Sequence, residues 1–473
     1  MLALLSPIDR VTARRAGRLG GAAAVCRRQG DIMDWSCIFR RGRGRRIAGW
    51  AVLAGLAAAN PAAPAGAAGL DAYAPVPPEP GTEIPTATIR FGMRPYADNT
   101  FYIIGMKKGW YSDVGISFEP APYGLKANDS NVVTLLLNGQ LDLISEYCPL
   151  MLPTYKSSKA LKCIAFTDTF LANAVLANPA LRLKGFKDYI AEGMDFQHAI
   201  HAALAPLEGK TLVGAPELSD RPFEEGLAKF SGVHWKLEVL DDSKSLVLAK
   251  SGREDFVNPE GAPIVYTLRQ AGWTDLVDIA DLFKYGPGGA DSPIEPLIDI
   301  VGVGANGNYV NTHQNTVLRF LSVMWRIFDE VKKDPSLYDL QAPYLNSMAG
   351  TTLDGKGVAE TVRILDPFET FDGDRPYYEG PQGTLYYRNV WDALIANFEQ
   401  HGIIPKGAVT SDEVVWGGPI WHQMLDYRTR TDALLHAPAP SDPARKALLA
   451  RARQFYDWRD YLDAWRLASA AMQ

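Results

Sequence analysis

One stretch of the chain has glycines at the spacing of a dinucleotide-binding loop. The apolar residues 298–301 lead into Gly302-x-Gly304-x-x-Gly307. In nucleotide-binding enzymes this loop joins a strand to the N-terminus of a helix, which faces the pyrophosphate. Here residues 308–312 precede the next helical pattern, and no ribose-binding acid follows at a strand end. We therefore interpret the glycines as a turn where backbones approach closely.

A second set of residues could bind a small molecule. In an open α/β sheet, ligands bind beyond the carboxyl ends of the strands. The loops that follow the predicted strands supply, in the first part of the chain, Tyr96, Asp98, Asn99, Ser130, Asn131, Ser145, Glu146, Tyr147, Thr167 and Asp168. Farther along they supply Glu217, Ser219, Asp220 and Asn258. The alternative for Ser130, Asn131, Ser219 and Asp220 is a purely structural role as helix caps.

The charges of these loops indicate the kind of solute. Oxyanion sites typically present bare helix N-termini with Ser, Thr, Asn or Arg. The candidate loops instead contain five acids and two arginines, with tyrosines among them: Asp98, Glu146, Asp168, Glu217, Asp220, Arg94, Arg221, Tyr96, Tyr102, Tyr123 and Tyr147. Acids beside aromatic rings favour a cationic or amine-bearing ring over a sulfonate or nitrate. The alternative is that the acids cap helices or pair with the arginines.

No catalytic residue, metal or cofactor is predicted. His198 and His201 could share a helix face, but no third ligand lies near them in the sequence, and solvated histidines are the simpler interpretation. No Gly-x-Ser-x-Gly elbow is present. Cys148 and Cys163 lack the spacing of a metal knuckle, and we expect two buried thiols.

Alternating strands and helices must position these residues. Strands are predicted at 86–93, 115–122, 141–147, 161–167, 172–179, 211–215, 233–242 and 296–305. Helices are predicted at 99–110, 129–139, 315–335 and 443–468, with a helix or mixed segment at 261–272. Strands separated by helices predict an α/β protein with a mainly parallel sheet.

The first 68 residues are predicted to be a leader and signal peptide. The basic segment 40–46 precedes a short apolar run, 47–59, and small residues at 65–68, an order typical of export. The apolar run is shorter than a membrane span of ~20 residues. Met33 begins a more typical signal peptide than Met1, and Arg45-Arg46 is a weak twin-arginine signal. Residues 69–85 form a Pro-rich linker, extended and not expected to pack as an element.

The charge balance excludes one class of partner. The first 68 residues hold 11 of the 48 Lys and Arg residues and 3 of the 54 Asp and Glu residues, which leaves a net charge of −14 on the remainder. A nucleic-acid surface needs clustered basic residues. We therefore expect no nucleic-acid partner.

Several motifs occur in a fixed order between residues 86 and 335. IRFGMRPYADNTFYIIGMKKGWYSDVGISFEPAPYG gives a strand, a polar loop and a helix that ends in Lys108-Gly109-Trp110-Tyr111. NVVTLLLNGQLDLI, LEGKTLVGAPELSD and the strand and helix at 296–335 follow. This order resembles the solute-binding proteins of ABC importers, in the branch that serves sulfonates, nitrate and thiamine precursors. The resemblance extends more loosely to about residue 436.

The resemblance implies a type II periplasmic-binding-protein fold, with two lobes of mostly parallel sheets, flanking helices and a hinge. Lobe 1 would comprise 86–178 and 291–436, the latter beginning with the return crossover and its hinge-side glycine turn. Lobe 2 would comprise 179–290, and 437–473 would be a C-terminal helical extension. The resemblance further implies a periplasmic, monomeric, non-enzymatic protein. It would deliver a small organic solute, amine-bearing or similar to a thiamine precursor, to an ABC permease in the inner membrane.

Two other functions use the same fold. The thiamine-pyrimidine synthases of fungi resemble this family, with a Lys-bound pyridoxal phosphate and a Cys-rich segment that the predicted mature part of this sequence lacks. A periplasmic sensor that presents its bound solute to a receptor uses the same hinge closure as a transport protein. The aromatic-rich segment 336–473 could then be its partner surface.

Overall fold

The computed structural model describes residues 72–128, 130–215, 220–287 and 297–473. The predicted leader and signal peptide, with Cys26 and Cys37, lie outside the described residues. Within these ranges no helix has both the length and the apolar character needed to cross a membrane. The described part of the Pro-rich segment, residues 72–85, has no helix or strand, as predicted, but it does pack on the body of the protein. The hydroxyl of Tyr73 donates to Gln423, and the backbone N–H of Val76 donates to Gln314 Oε1 at 2.8 Å.

The eight predicted strands are found among the described residues, with ends that shift by a few residues, and three strands that were not predicted join them. In chain order they are β1 Ala87–Met93, β2 Ile116–Glu119, β3 Leu125–Lys126, β4 Leu143–Glu146, β5 Leu161–Phe170, β6 Ala174–Ala177, β7 Thr211–Gly214, β8 Lys236–Val239, β9 Phe256–Asn258, β10 Thr274–Asp278 and β11 Asp299–Asn306. The three that were not predicted are β3, β9 and β10.

The first ten helices flank these strands in the first two thirds of the chain. They are α1 Ala97–Thr100, α2 Tyr102–Lys107, α3 Trp110–Asp113, α4 Val132–Leu137, α5 Phe186–Ala191, α6 Phe196–Leu204, α7 Asp220–Ser231, α8 Asp242–Lys250, α9 Ala262–Gln270 and α10 Ile279–Tyr285. The prediction of one continuous helix at 99–110 is wrong, because the segment forms three short helices. Gly109, at the predicted helix end, has a φ of +74°, a left-handed conformation that ends a helix and separates α2 from α3. The division between α1 and α2 lies at Phe101.

The remaining helices follow the last strand. They are α11 Gly307–Thr312, α12 Gln314–Lys333, α13 Tyr338–Ala349, α14 Gly355–Leu365, α15 Arg375–Tyr378, α16 Tyr387–Gln400, α17 Ser411–Val414, α18 Gly417–His436, α19 Pro443–Asp457 and α20 Tyr461–Met472. The helical pattern predicted at 443–468 is therefore two helices, with Arg459 at a positive φ between them.

The strands form two sheets, which define two lobes. The sheet of lobe 1 has the order β2-β1-β4-β11-β5, with β3 also paired to β1, and the sheet of lobe 2 has the order β10-β6-β9-β7-β8. Neighbours of β1 and of β7 are parallel to them. The exceptions are β11 and β6, which run antiparallel to their neighbours. The predicted two-lobed α/β fold with mostly parallel sheets is confirmed.

The two antiparallel strands are those by which the chain passes between the lobes. A strand that enters one lobe from the other runs away from the interlobe cleft, whereas the carboxyl ends of the parallel strands point toward it. β6 continues from β5 after three residues, and β11 returns to lobe 1. The Nδ2 atom of Asn173 in the first crossing donates to Asp299 Oδ2 in the second at 2.6 Å. The two crossings are thus tied together at the hinge.

The core of lobe 1 is built on aromatic rings from β1 and α12. Phe91 lies 4.8 Å from Tyr102 and 5.1 Å from Phe320, measured between ring centroids. One face of α12 is buried over most of its 20 residues, as the amphipathic pattern predicts. Such edge-on aromatic pairs add packing energy beyond the area that they bury. This packing fixes the position of the carboxyl end of β1, which leads into the cleft.

The interpretation of Gly302-x-Gly304-x-x-Gly307 as a turn is wrong. The first two glycines lie inside β11, and α11 begins at the third. A Cβ at Gly302 would lie 2.2 Å from the carbonyl oxygen of Ala165, and one at Gly304 2.8 Å from Ile144. The glycines therefore allow β11 to pack between β4 and β5 at close range. Because β11 is antiparallel to both neighbours, the parallel βαβ unit of a dinucleotide site is not formed here.

We expect the substitution Gly302→Ala to destabilise the protein by about 3 kcal/mol, since a Cβ that meets backbone cannot be relieved by side-chain rotation. Chemical denaturation measures this loss. Gly418→Ala is the matched control, because its nearest neighbour would lie at an ordinary 3.6 Å. Equal stability of the two variants would contradict the close-packing role of Gly302.

Candidate functional site

Most of the predicted site residues meet in the cleft between the lobes. Those of lobe 1 lie at the carboxyl ends of β1, β4 and β5 and in α1, and they are buried or half-buried: Tyr96, Asp98, Asn99, Ser145, Glu146, Tyr147, Thr167 and Asp168. Asn258 ends β9 of lobe 2. A small cavity of about 30 Å³ remains among the side chains of Arg94, Tyr96, Asp98, Tyr147, Phe170, Glu260, Asp299 and Val301. The fold therefore brings these residues together as the strand-end rule predicts.

Several buried side chains in this region are carboxylates. We call three of them the acid cluster: Asp98, Asp168 and Asp366. They are 3%, 0% and 0% exposed. Asp98 Oδ2 accepts from Asn99 Nδ2 at 2.7 Å, and Asp168 Oδ1 accepts from Thr167 Oγ1 at 2.6 Å. Asp98 Oδ1, Asp168 Oδ2 and both carboxyl oxygens of Asp366 have no hydrogen-bond partner among the described residues. Such groups are costly to bury when ionised.

The acid cluster is therefore poised to hold protons. Burial raises the pKa of Asp98 to about 6, against the lowering effect of the nearby Arg94 charge. Burial, followed by the charge of Asp98, raises the pKa of Asp168 well above its usual value. Burial and the charges of Asp98 and Asp168 do the same to the pKa of Asp366. Like charges this close oppose each other's ionisation.

The third member of the acid cluster was not predicted from the sequence. Asp366 follows α14, which packs against α1 of lobe 1 and α9 of lobe 2. The segment after α14 lies along the edge of β5: Leu171 N donates to Leu365 O at 2.7 Å, and Glu369 N donates to Thr167 O at 3.1 Å. These backbone hydrogen bonds place Asp366 beside Asp168, about 200 residues away in the sequence. No local sequence signal indicates this pairing.

A buried arginine faces acids from both lobes. Arg94 Nη1 lies 3.1 Å from Glu146 Oε1 of lobe 1, and Arg94 Nη2 lies 2.5 Å from Glu260 Oε1 of lobe 2. The guanidinium carbon lies 4.7 Å from the centroid of the Tyr96 ring, within the range of a cation–π interaction. The arginine thus carries its charge into the cleft and joins the two lobes there.

The hinge supplies a further acid. Asp299 is buried at the start of β11, and burial raises its pKa to about 7, against hydrogen bonds from Tyr147 and Asn173. An acid within an apolar strand is a sequence signal that could have identified it. On the lobe 2 side, Asn258 Nδ2 donates to Glu224 Oε1 at 3.3 Å, and its own Oδ1 has no partner among the described residues.

The other predicted residues lie elsewhere. Ser130 and Asn131 are exposed and form a local turn with Asn128. Glu217, Ser219 and the side chain of Asp220 lie outside the described residues. Within the described ranges, no group of three or more His, Cys, Asp or Glu residues could hold a metal ion.

An outer groove of about 210 Å³ adjoins the small cavity. Its walls come from both lobes and from α13, and they include Tyr96, Asn128, Asp241, Asp242 and Glu260. A separate groove of about 490 Å³ lies between the end of α12 and α14. None of the predicted site residues lines this larger groove, which is therefore separate from the candidate site. The outer groove is instead an acidic approach to the cleft.

No protein-family model matches the chain, and no curated protein matches it in sequence. Solved structures of similar fold include the alkanesulfonate-binding protein SsuA from Xanthomonas axonopodis pv. citri bound to MOPS, at 14% identity and a TM-score of 0.48, covering 70% of this chain and 98% of that chain. They also include the periplasmic nitrate-binding protein NrtA from Synechocystis PCC 6803, at 12% identity and a TM-score of 0.47, covering 72% of this chain and 88% of that chain.

A third similar structure is the periplasmic aliphatic sulphonate binding protein SsuA from Escherichia coli, at 14% identity and a TM-score of 0.48, covering 71% of this chain and 99% of that chain. These are proteins of the kind that the sequence resembles. At such identities and TM-scores, the likeness says nothing about the solute of this chain. The two-lobed fold rests on the strand orders and crossings described above.

The raised pKa values predict a pH-dependent stability of the ligand-free protein. A carboxyl whose pKa is raised on folding contributes stability that is complete below its unfolded pKa, near 4, and is lost as the pH rises through the folded pKa. Asp366→Asn removes this loss, because the amide stays neutral. We expect the variant and the wild type to be equally stable below pH 4. As the pH rises from 4 to 8, the variant should become progressively more stable than the wild type, because the unfolded wild-type carboxyl ionises while burial opposes ionisation of the folded one.

Denaturation at several pH values measures the difference between Asp366→Asn and wild type. Asp392→Asn is the control, since Asp392 is an exposed residue of α16. A stability difference for Asp366→Asn that stays constant from pH 5 to pH 8 would contradict the proton-holding role of the acid cluster.

Proposed function

We propose that the protein is a periplasmic solute-binding protein that captures a small organic cation between its lobes and delivers it to an ABC permease. The observation that carries the proposal is the acid cluster, with buried carboxyl oxygens that lack a hydrogen-bond partner among the described residues. A positively charged group placed there would satisfy these oxygens and lower the pKa of the acids.

The hinge supports a capture function. Two crossings link the lobes, and the candidate residues lie on both sides of the cleft. Closure of one lobe onto the other around a solute is the motion that such a hinge permits. The same motion would serve delivery to a permease and presentation to a receptor.

The charge of the cleft supports a cation over an anion. Among the described residues that line the small cavity, Arg94 is the single basic side chain, whereas Asp98, Glu260 and Asp299 are acids. Three further buried acids interact with these residues: Glu146 with Arg94, and Asp168 and Asp366 with Asp98. An added sulfonate or nitrate would meet this excess of negative charge without a free basic partner, whereas an ammonium would meet acceptors.

Aromatic rings support an amine-bearing or heteroaromatic solute. Tyr96, Tyr147 and Phe170 line the small cavity. Ring faces attract cations and also stack on flat rings. A pyrimidine with an amino group, similar to a thiamine precursor, combines both properties.

Thermal shift of the purified protein tests the proposed solute class, after carried ligand is removed under mild denaturant. Amines, betaines, polyamines and aminopyrimidines are compared with sulfonates and nitrate. A bound compound at ~100 times its Kd should add about 2.7 kcal/mol of stability. We expect stabilisation by cations, and we expect Asp168→Asn to lose most of it while Asp392→Asn keeps it.

Stabilisation by sulfonates or nitrate alone would contradict the cation proposal but would leave solute binding intact. Mass spectrometry of the incubated compound tests for turnover. Conversion of a bound compound to a product would favour an enzyme over a binding protein.

A further inference from the structure

Arg94 links the two lobes across the cleft, because it pairs with an acid in each of them. Arg94 directly follows β1 in lobe 1. Its lobe 2 partner, Glu260, is fixed by its own backbone: Glu260 N and Gly261 N donate to the carboxylate of Asp242 at 3.2 and 2.7 Å. Glu260 therefore cannot follow the arginine without movement of lobe 2.

The pairing occurs out of contact with solvent. The side chains of Arg94, Glu146 and Glu260 are 2%, 0% and 10% exposed. A guanidinium remains charged even when it is buried, and charges interact more strongly where water is excluded. The position between the two glutamates is thus permanently occupied by one positive charge.

Beyond this position, the cleft contains a second group of acids. Arg94 also acts on Asp98 electrostatically, but Asp98 Oδ1, Asp168 Oδ2 and both carboxyl oxygens of Asp366 have no hydrogen-bond partner among the described residues. Tyr102 is fully buried beside Ser145, Asp168 and Asp98. Its hydroxyl has no hydrogen-bond partner among the described residues. The acid cluster and the Tyr102 hydroxyl thus offer polar atoms that Arg94 does not satisfy.

We propose that Arg94 determines how many positive charges the solute carries. Its guanidinium takes the position between Glu146 and Glu260 and holds the lobes together, and the acid cluster then accepts a single positive group of the solute. This inference rests on the proposed function. It deepens that function by naming the class of solute as a monocation and the residue that excludes a dication.

Removal of the arginine charge should change both the cleft and its selectivity. Without the guanidinium, Glu146 and Glu260 repel each other across the lobes, and the ligand-free protein opens. The same two carboxylates then become acceptors for a second ammonium group. A diamine gains an interaction that a monoamine of the same chain length lacks, because a desolvated charge pair contributes strongly to affinity.

The experiment uses Arg94→Gln in the full protein, with two measurements. Small-angle scattering of the ligand-free protein measures the radius of gyration, which we expect to increase. Calorimetry with butylamine and 1,4-diaminobutane measures the ratio of the two affinities. We expect the ratio to shift toward the diamine by about tenfold or more relative to wild type.

Two variants separate this role from a structural one. Arg94→Lys keeps a positive charge and should retain the wild-type preference. Arg90→Gln is the matched control, since Arg90 lies on β1, the strand that Arg94 follows, pairs with Asp142 and is 44% exposed. It should change neither measurement. If Arg94→Gln does not fold, Glu260→Gln removes the lobe 2 partner while Arg94 keeps Glu146, and it too should increase the radius of gyration.

The outcomes distinguish this inference from the proposed function. An unchanged affinity ratio in folded Arg94→Gln, or the same shift in Arg94→Lys, would overturn the inference while amine binding stands. If no amine binds to wild type or variants, the cation function itself is wrong and the inference fails with it. An unchanged radius of gyration in both Arg94→Gln and Glu260→Gln would overturn the lobe-linking role.

Discussion

Buried carboxylates in excess of buried basic groups constrain the whole cleft. Asp98, Asp168 and Asp366 are withdrawn from solvent by both lobes and by the segment after α14. Ionised acids in such surroundings must bind protons, pair with a cation or be exposed by opening. The raised pKa values of the three acids favour the first of these states, proton binding, over ionisation in the ligand-free protein as the pH falls. A solute cation would provide the second state, and hinge motion the third.

In the proposed function, the hinge allows the excess of buried carboxylates to serve in capture of the solute. The crossings by β6 and β11 allow the lobes to separate, and the Asn173–Asp299 hydrogen bond joins the crossings at the cleft floor. Solvent that enters an open cleft lowers the cost of ionisation. In the proposed function, a cation that then binds would make the closed state favourable, because its charge would pair with acids that closure otherwise buries without a partner. Recognition of the charge and closure would then be one process.

Sequence patterns predicted the architecture well because it depends on local periodicity. The strands at β1, β5 and β11 and the amphipathic α12 have apolar patterns that fix their type. The strand-end rule then placed Asp98, Glu146 and Asp168 in one cleft. Asp366 and Glu260 were missed because each reaches the cleft through pairings with distant parts of the chain: the edge of β5 for Asp366, and the closed position of lobe 2 for Glu260. The role of Gly302 was misread for the same reason, since only the neighbouring strands show what its missing side chain avoids.

We predict that a solute cation replaces protons in the acid cluster. Titration calorimetry of a bound amine at pH 6, repeated in buffers of different ionisation enthalpy, measures the protons released on binding. Near the pKa of about 6 for Asp98, we predict net release of protons when the cation binds, and a smaller release from Asp168→Asn. Binding of the amine with no proton release, or tight binding of an anion with proton uptake, would contradict this prediction.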